Sequence, residues 1–385
     1  MARALSGPRG EADKPRPTTD QPVKEVALLI CSVAVLLLAI WVVVPAPVYA
    51  LLPLGVAIPE VSPLLIVAGL VVGLVAMRAR GRTRPVAVTL SLASIALASL
   101  PPVQFASTRV RFNAATTELP TAITGRENDA VQVTRGLAFA EPEGGALTID
   151  LYRSASTAAL PVVIQIYGGA WRSGEPGDDA AFATALARRG YLVAAIDYRH
   201  APQSRWPAQI NDVRAAVEWL VMHAGEYGGD PRLMALVGRS SGGQLALVEA
   251  YTEPGRFAAV IAYYAPTDLA DGWRHPPVPD PLPVRPVLET LFGGTPDTLA
   301  GRYEAASPVT YVSKRSPATL LIYGARDHIV EPRFGRLLQD RLRAAGATCI
   351  YLELPWAEHA FDLVPGLGAR LVQPYVERFL AAHVR

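Results

Sequence analysis

A serine lies between small residues in the stretch LMALVGRSSGGQLALVEA, where Ser240 is the third residue of Gly238-Arg239-Ser240-Ser241-Gly242. The residues before this pentapeptide are apolar and strand-like, and those after it are helix-like, so Ser240 is predicted to lie on a sharp turn from strand to helix. Such a turn needs glycine on both sides, because a Cβ would collide with a neighbouring element. The pattern indicates a serine hydroxyl that is presented as a nucleophile.

A serine hydroxyl becomes a good nucleophile only when a base takes its proton. Of the six histidines, His359 in PWAEHAFD directly follows the last predicted strand and is the favoured base, with His200 after the fourth predicted strand as the alternative. The base in turn needs a carboxylate that fixes its tautomer. Asp327 in LLIYGARDHIVEP follows the seventh predicted strand and is favoured over Asp268 in PTDL, which follows the sixth.

Two glycines follow the third predicted strand, in IQIYGGAWRSG. Attack on a carbonyl group creates an oxyanion, which preorganised N–H donors stabilise. Glycines allow the backbone to approach closely enough to supply such donors. The predicted donors are the amides of Gly168, Gly169 and Ala170, together with the amide of Ser241.

Eight apolar, β-branched runs follow residue 130, and most of those after the third are separated by helical stretches. They read VQVTRGLAFA, ALTIDLYRS, PVVIQIYG, YLVAAIDY, LMALVGRS, AAVIAYYA, ATLLIYGA and TCIYLELPW. Runs that are apolar nearly throughout indicate a parallel sheet that is buried on both faces, with the first pair as an antiparallel edge. The fold class is therefore α/β, and the candidate residues are expected to converge at the carboxyl edge of the sheet.

The hydrophobic content of 51% is high for a soluble enzyme, and the excess lies in the first hundred residues. Three uncharged runs there approach the roughly 20 residues that cross a bilayer, so about three transmembrane helices are predicted. They are 26–44, 61–77 and 86–103, within an anchor over 26–103. A cleaved signal peptide ending at 48–50 is a weaker alternative, because its apolar stretch is too long and two more membrane-like runs follow it.

The remaining boundaries follow from composition. Residues 1–25 are polar and predicted to be a disordered tail, residues 104–128 a tether, and residues 129–385 the α/β domain, with a proline-rich cap insertion over 267–311. Basic residues precede the first run and crowd the second connection at 78–84, whereas the segment 45–60 has none. The tail and the second connection are therefore expected in the cytoplasm, and the α/β domain outside it.

Charge and cysteine content exclude other classes of function. The formal net charge is +2, from 36 basic and 34 acidic residues that are scattered along the chain, so we expect no nucleic-acid binding. Cys31 and Cys349 provide neither a disulfide framework nor metal-ligand spacing. No metal or cofactor is expected, and the predicted partners are a substrate and the lipid bilayer.

Five motifs resemble those of the α/β-hydrolase superfamily, in the esterase branch of hormone-sensitive lipase-like, feruloyl-esterase-like and kynurenine-formamidase-like enzymes. They are YGGAW (167–171), DYRHAP (197–202), GRSSGG (238–243), GARDHIVEP (324–332) and EHAF (358–361). The chain order Ser240, Asp327, His359 is also that of this superfamily. The resemblance covers about residues 130–385.

This resemblance implies a carboxylesterase that cleaves small or medium-sized esters, lipid-derived esters among them, through an acyl-Ser240 intermediate without a cofactor. An amide-cleaving formamidase or peptidase with the same triad is one alternative. An inactive hydrolase fold that serves as a binding module is another.

Two positions depart from the family pattern. Tyr167 replaces the usual histidine, which braces the oxyanion loop, so the loop is expected to shift while it keeps its amides. Arg239 stands where some members carry aspartate, and a solvated side chain is favoured over an effect on substrate charge.

An acyl pocket is expected to be lined by Trp171, Trp273, Leu288 and Phe292, with a surface excursion of the cap as an equal alternative.

Overall fold

A single eight-stranded sheet organises the computed structural model, which describes residues 20–120, 130–156 and 158–384. The strands are β1 Val131–Ala140, β2 Leu147–Ser154, β3 Leu160–Ile166, β4 Leu192–Ile196, β5 Gly229–Arg239, β6 Ala259–Tyr263, β7 Ala318–Gly324 and β8 Cys349–Leu354. Their order is β1-β2-β4-β3-β5-β6-β7-β8. Only the pairings of β2, with β1 and with β4, are antiparallel. The mostly parallel eight-stranded sheet is therefore confirmed.

The sheet is covered on both sides, because every residue of β4 and β6 is buried and successive side chains of a strand point to opposite faces. The covering helices are α6 Ala180–Arg188, α7 Ala208–His223, α8 Ser241–Thr252, α12 Arg333–Ala344 and α13 Leu367–His383. The segment predicted as a cap forms three short helices: α9 Leu269–Arg274, α10 Val284–Phe292 and α11 Ala300–Ala305.

Five helices precede the sheet: α1 Asp20–Ala39, α2 Leu52–Glu60, α3 Ser62–Arg78, α4 Arg84–Ala98 and α5 Leu100–Ala115. Two stretches, Val23–Val42 and Arg84–Ala115, are long and apolar enough to cross a membrane. The residues 62–78 reach that length only together with 49–60, from which they are bent by 78°. The described residues therefore hold two candidate spans, or three with the bent pair counted as one, against the three predicted.

Helices α1, α3 and α4 pack against one another. The approach of α3 to α4 depends on glycine: a Cβ at Gly69 would lie 2.8 Å from Ile95 Cγ1, and one at Gly73 would lie 3.3 Å from Ser91 Cβ. Small residues at such contacts are typical of helices that associate within membranes.

The segment 104–128 differs from the expected tether, because it is helical as far as Ala115. Phe112 packs edge-on against Tyr375 of α13 with ring centroids 5.5 Å apart, and Arg378 donates to the carbonyl oxygens of Thr116 and Pro120. Burial of Phe112 against the α/β domain explains why this part of the segment is helical and packed rather than a free tether. Residues 20–25 of the predicted tail likewise belong to α1, whereas residues 1–19 and 121–129 lie outside the described part of the chain.

Candidate active site

The turn between β5 and α8 presents Ser240. Its φ of +52° and ψ of −120° are strained for a residue with a side chain. A Cβ at Gly238 would lie 2.2 Å from the carbonyl oxygen of Gly242, and one at Gly242 would lie 2.2 Å from that of Tyr167. Both glycines are therefore required by close backbone contacts, as the sequence predicted for a sharp turn.

Hydrogen bonds connect Ser240 to the two residues that the sequence paired with it. His359 Nε2 lies 3.0 Å from Ser240 Oγ, and His359 Nδ1 lies 2.7 Å from Asp327 Oδ2. The other oxygen of Asp327 accepts from the amides of Ile329 and Val330, at 2.8 and 2.7 Å. Asp327 and His359 are both buried. A hydroxyl, an imidazole and a carboxylate in this order can pass a proton from serine to histidine.

Burial raises the pKa of Asp327, and the neighbouring His359 offsets part of that rise. Glu358 fixes the two loops that carry this pair, because its Oε1 accepts from the amides of His328 and His359, at 2.7 and 3.0 Å. Its Oε2 lies 2.6 Å from His328 Nδ1, and this hydrogen bond raises the pKa of His328. Sequence reasoning missed Glu358, although it lies next to the predicted base.

The alternative residues have other partners. His200 Nε2 lies 3.0 Å from the hydroxyl of Tyr167. Asp268 caps helix α9 by accepting from the amide of Asp271 at 3.0 Å. The histidine and the carboxylate favoured by the sequence are thus the ones that contact each other.

The predicted oxyanion loop lies against the turn. A Cβ at Gly168 would lie 3.3 Å from the Cβ of Ser240, so the two backbones are in close contact. Gly169 and Ala170 have positive φ, at +131° and +54°, which turns the chain sharply after β3. Ser241 is the first residue of α8, so its amide has no acceptor within the helix. All four predicted donors therefore lie on backbone next to Ser240.

Tyr167 braces this loop where the family usually has histidine. Its hydroxyl donates to Asp197 Oδ1 at 2.5 Å, and its ring stacks on Tyr198 with centroids 4.4 Å apart. Burial raises the pKa of Tyr167, so the hydroxyl keeps its proton. The segment 197–202 thus fixes the position of Tyr167, which directly precedes the glycine loop.

A family model identifies the domain that carries this geometry. The model of the BD-FAE family matches residues 149–342, which is half of the chain. The chain belongs to the BD-FAE family. The predicted resemblance to α/β-hydrolase esterases is thereby confirmed.

Relatives of the BD-FAE domain are esterases by name. The chain is 35% identical over 256 residues to the probable carboxylic ester hydrolase LipM of Mycobacterium tuberculosis, covering 62% of this chain and 58% of LipM. It is 30% identical over 287 residues to the esterase LipQ of the same organism, covering 70% of this chain and 63% of LipQ. The chain thus spans about three fifths of the length of these relatives. A Pyrobaculum calidifontis esterase, 21% identical, has the same fold, with a TM-score of 0.57 over 74% of this chain and 92% of that one.

Arg239 of the BD-FAE domain is buried, with 4% of its surface exposed, so the expectation of a solvated side chain is wrong. It donates to Asp179 at 3.0 Å and to Asp362 at 2.7 Å. Its guanidinium also lies 4.4 Å from the ring centroid of Phe182. Burial raises the pKa of Asp179, and Arg239 opposes this rise. The arginine therefore joins the turn to the segments that precede α6 and follow His359.

A narrow apolar cavity of about 50 Å³ opens beside Ser240. Its lining includes Trp171, Leu269, Leu282, Val287, Leu288 and Phe334. Trp171 and Leu288 were predicted there, but Trp273 and Phe292 have other neighbours. Trp273 donates to Glu289, and Phe292 is fully buried against Tyr303. Trp273, on α9, and Phe292, at the end of α10, are therefore not among the residues that line this cavity.

A wider cleft of about 870 Å³ also borders Ser240. Its lining includes the residues Gly168, Gly169, Ala170, Ser240 and His359. Tyr49 and Leu52, which precede the BD-FAE match by about a hundred residues, also line it. No local sequence signal could have shown this contact.

Replacing Arg239 tests the buried ion pairs. In Arg239→Met the carboxylates of Asp179 and Asp362 lose their partner inside the protein, so we expect the free energy of unfolding to fall by about 3–5 kcal/mol. Denaturant unfolding measures this change. Arg232→Met is the matched control, because Arg232 pairs with Asp230 at the surface and its loss should change little. Equal stabilities of the two variants would contradict the assigned role.

Proposed function

We propose that the protein is a membrane-anchored serine hydrolase that cleaves carboxylic esters through an acyl-Ser240 intermediate. The observation that carries this proposal is the hydrogen-bonded chain from Ser240 through His359 to Asp327. The backbone of the glycine loop lies in close contact with Ser240. The names of LipM and LipQ support an ester as the substrate.

Acylation begins when Ser240 Oγ attacks the carbonyl carbon of the ester and His359 Nε2 takes the hydroxyl proton. Asp327 keeps the Nδ1 proton of His359 in place and stabilises the imidazolium. The amides of Gly168, Gly169, Ala170 and Ser241 are the candidate donors to the oxyanion of the tetrahedral intermediate.

The intermediate collapses when the bond between the carbonyl carbon and the alcohol oxygen breaks. His359 then gives its proton to the leaving alcohol, which leaves the acyl group on Ser240. In the second half-reaction His359 takes a proton from water as the water oxygen attacks the acyl carbon, then the bond between that carbon and Ser240 Oγ breaks and His359 gives the proton to Oγ. The acid is released and the enzyme is regenerated.

A fluorophosphonate probe tests the nucleophile. We expect the wild-type protein to be labelled and Ser240→Ala to be unlabelled, with ester hydrolysis reduced by about 10⁴-fold or more in Ser240→Ala and in His359→Ala. Ser156→Ala, at an exposed serine, is the matched control and should label fully. A wild-type protein that fails to label would favour the binding-module alternative, and labelling of Ser240→Ala would exclude Ser240 as the nucleophile.

The narrow cavity predicts a preference for short acyl groups. A cavity that holds one water has about 10–15 Å³ on the same measure, so 50 Å³ accommodates about four atoms of that size. Among p-nitrophenyl esters, kcat/KM should be highest from acetate to butyrate. Leu288→Ala enlarges the cavity and should raise the hexanoate-to-acetate ratio about tenfold. Leu92→Ala, on the exposed face of α4, is the control, and an equal ratio in both variants would refute the assignment of this cavity.

We also propose that the α/β domain lies on the extracytoplasmic side of the membrane. The basic connection 78–84 lies at the same end of the helical bundle as Glu25, which lies 3.4 Å from Thr83 Oγ1. Residues 42 and 60 lie at the other end and contact the α/β domain. Because basic connections stay in the cytoplasm, the domain is expected on the opposite side.

Protease accessibility tests this orientation. In intact cells with a permeable outer layer, added protease should digest the α/β domain while a cytoplasmic marker protein survives. Disruption of the cells, which exposes the marker, is the control for protease activity. Survival of both the domain and the marker in intact cells would reverse the proposed orientation.

A further inference from the structure

Two of the residues that line the wide cleft come from outside the α/β domain. Tyr49 and Leu52 line the cleft together with Ser240 and His359. They belong to the connection between the first two apolar runs, where a short turn at Tyr49–Leu51 leads into α2. A segment next to the membrane therefore shapes the space beside the candidate nucleophile.

Buried polar contacts hold this connection on the domain. The carboxyl group of Glu60, with 2% of the residue exposed, accepts from Trp356 Nε1 at 3.0 Å and from the amide of Gly368 at 2.5 Å. Arg326, the neighbour of Asp327, donates to the carbonyl oxygen of Val42. Buried groups that satisfy one another in this way fix a single arrangement. The connection is thus docked between two segments that carry Asp327 and His359.

The rim of the cleft is apolar and exposed on the side of this connection. Tyr49 and Leu363 line the cleft and yet are 61% and 57% exposed. Val44 and Val48, which precede Tyr49 in the chain, are exposed as well, as is Leu37 of α1. Tyrosine is enriched where a membrane meets water. If α1 crosses the bilayer, the rim of the cleft lies at the surface of the bilayer.

Another part of the cleft lining is charged. Arg172, Glu175 and Asp178 line it. A molecule that fills the cleft therefore meets the apolar side chains of the connection as well as charged side chains. This combination matches an amphiphile, whose apolar part stays in the lipid while its polar part faces water.

We propose that the connection 43–60 is part of the substrate site and admits esters from the membrane surface. The substrates are membrane-resident amphiphiles in which a short acyl group, held in the narrow cavity, is esterified to a lipid-soluble alcohol that occupies the wide cleft. Tyr49 is the specificity-determining residue of the apolar wall. This inference rests on the proposed esterase function and adds the source and class of the alcohol.

Two acetate esters test the proposal with the full-length protein in phosphatidylcholine vesicles. One is soluble p-nitrophenyl acetate, and the other is hexadecyl acetate carried in the same vesicles. The ratio of kcat/KM for hexadecyl acetate to that for p-nitrophenyl acetate should fall about tenfold in Tyr49→Ser and stay near the wild-type ratio in Tyr49→Phe. Met222→Ser, which removes a 68% exposed apolar side chain on α7 outside the cleft, is the control and should keep the ratio.

The outcomes separate this proposal from the one on which it rests. If the wild-type protein hydrolyses neither ester, both proposals fail. If it hydrolyses p-nitrophenyl acetate and the ratio is unchanged in Tyr49→Ser, only the membrane-delivery proposal fails. Photocrosslinking tests the proposal without an activity measurement, in case Tyr49→Ser does not fold. A benzophenone amino acid at position 49 should crosslink phosphatidylcholine, and one at position 222 should not. Absence of the lipid adduct at position 49 would overturn the proposal.

Discussion

The close backbone contact between the Ser240 turn and the end of β3 is the constraint on which the site depends. Ser240 has a positive φ, a conformation that costs about 1–3 kcal/mol and persists only when the surroundings determine it. The surroundings are the carbonyl groups of Ile166 and Tyr167, which leave no room for a Cβ at Gly242. Because the same contact sets Gly168 against Ser240, one steric fit positions both the hydroxyl and the loop of candidate oxyanion donors.

Charge joins the same segments a second time. Arg239 precedes the serine, Asp179 follows the glycine loop, and Asp362 follows the histidine. The two buried ion pairs therefore connect three segments that lie far apart in the chain. Tyr264 adds a hydrogen bond to Asp362 at 2.6 Å and packs its ring 4.5 Å from that of His359. A buried charge without a partner is strongly unfavourable, so each loop is held by what the other two contribute.

Local patterns predicted what depends on local structure. The glycines around Ser240, and the positions of Asp327 and His359 after apolar strands, are set by neighbours in the chain and by the rule that carboxyl ends of parallel strands meet. The partners of Arg239 are 60 and 123 residues away, and Glu60 contacts Gly368 across 308 residues. Local sequence patterns carry no information about such distant contacts. The sequence therefore did not predict the burial of Arg239, the contact of the connection with the α/β domain, or the helical structure of α5.

Tyrosine in place of the family histidine follows the same logic of fixed contacts. Burial raises the pKa of Tyr167 above its usual value near 10 and lowers that of His200 below its usual range, so both stay neutral at neutral pH. The hydroxyl of Tyr167 can then donate to Asp197 while His200 Nε2 lies 3.0 Å from the same hydroxyl. The buried, protonated hydroxyl of Tyr167 therefore ties the end of β3, from which the glycine loop starts, to Asp197 after β4.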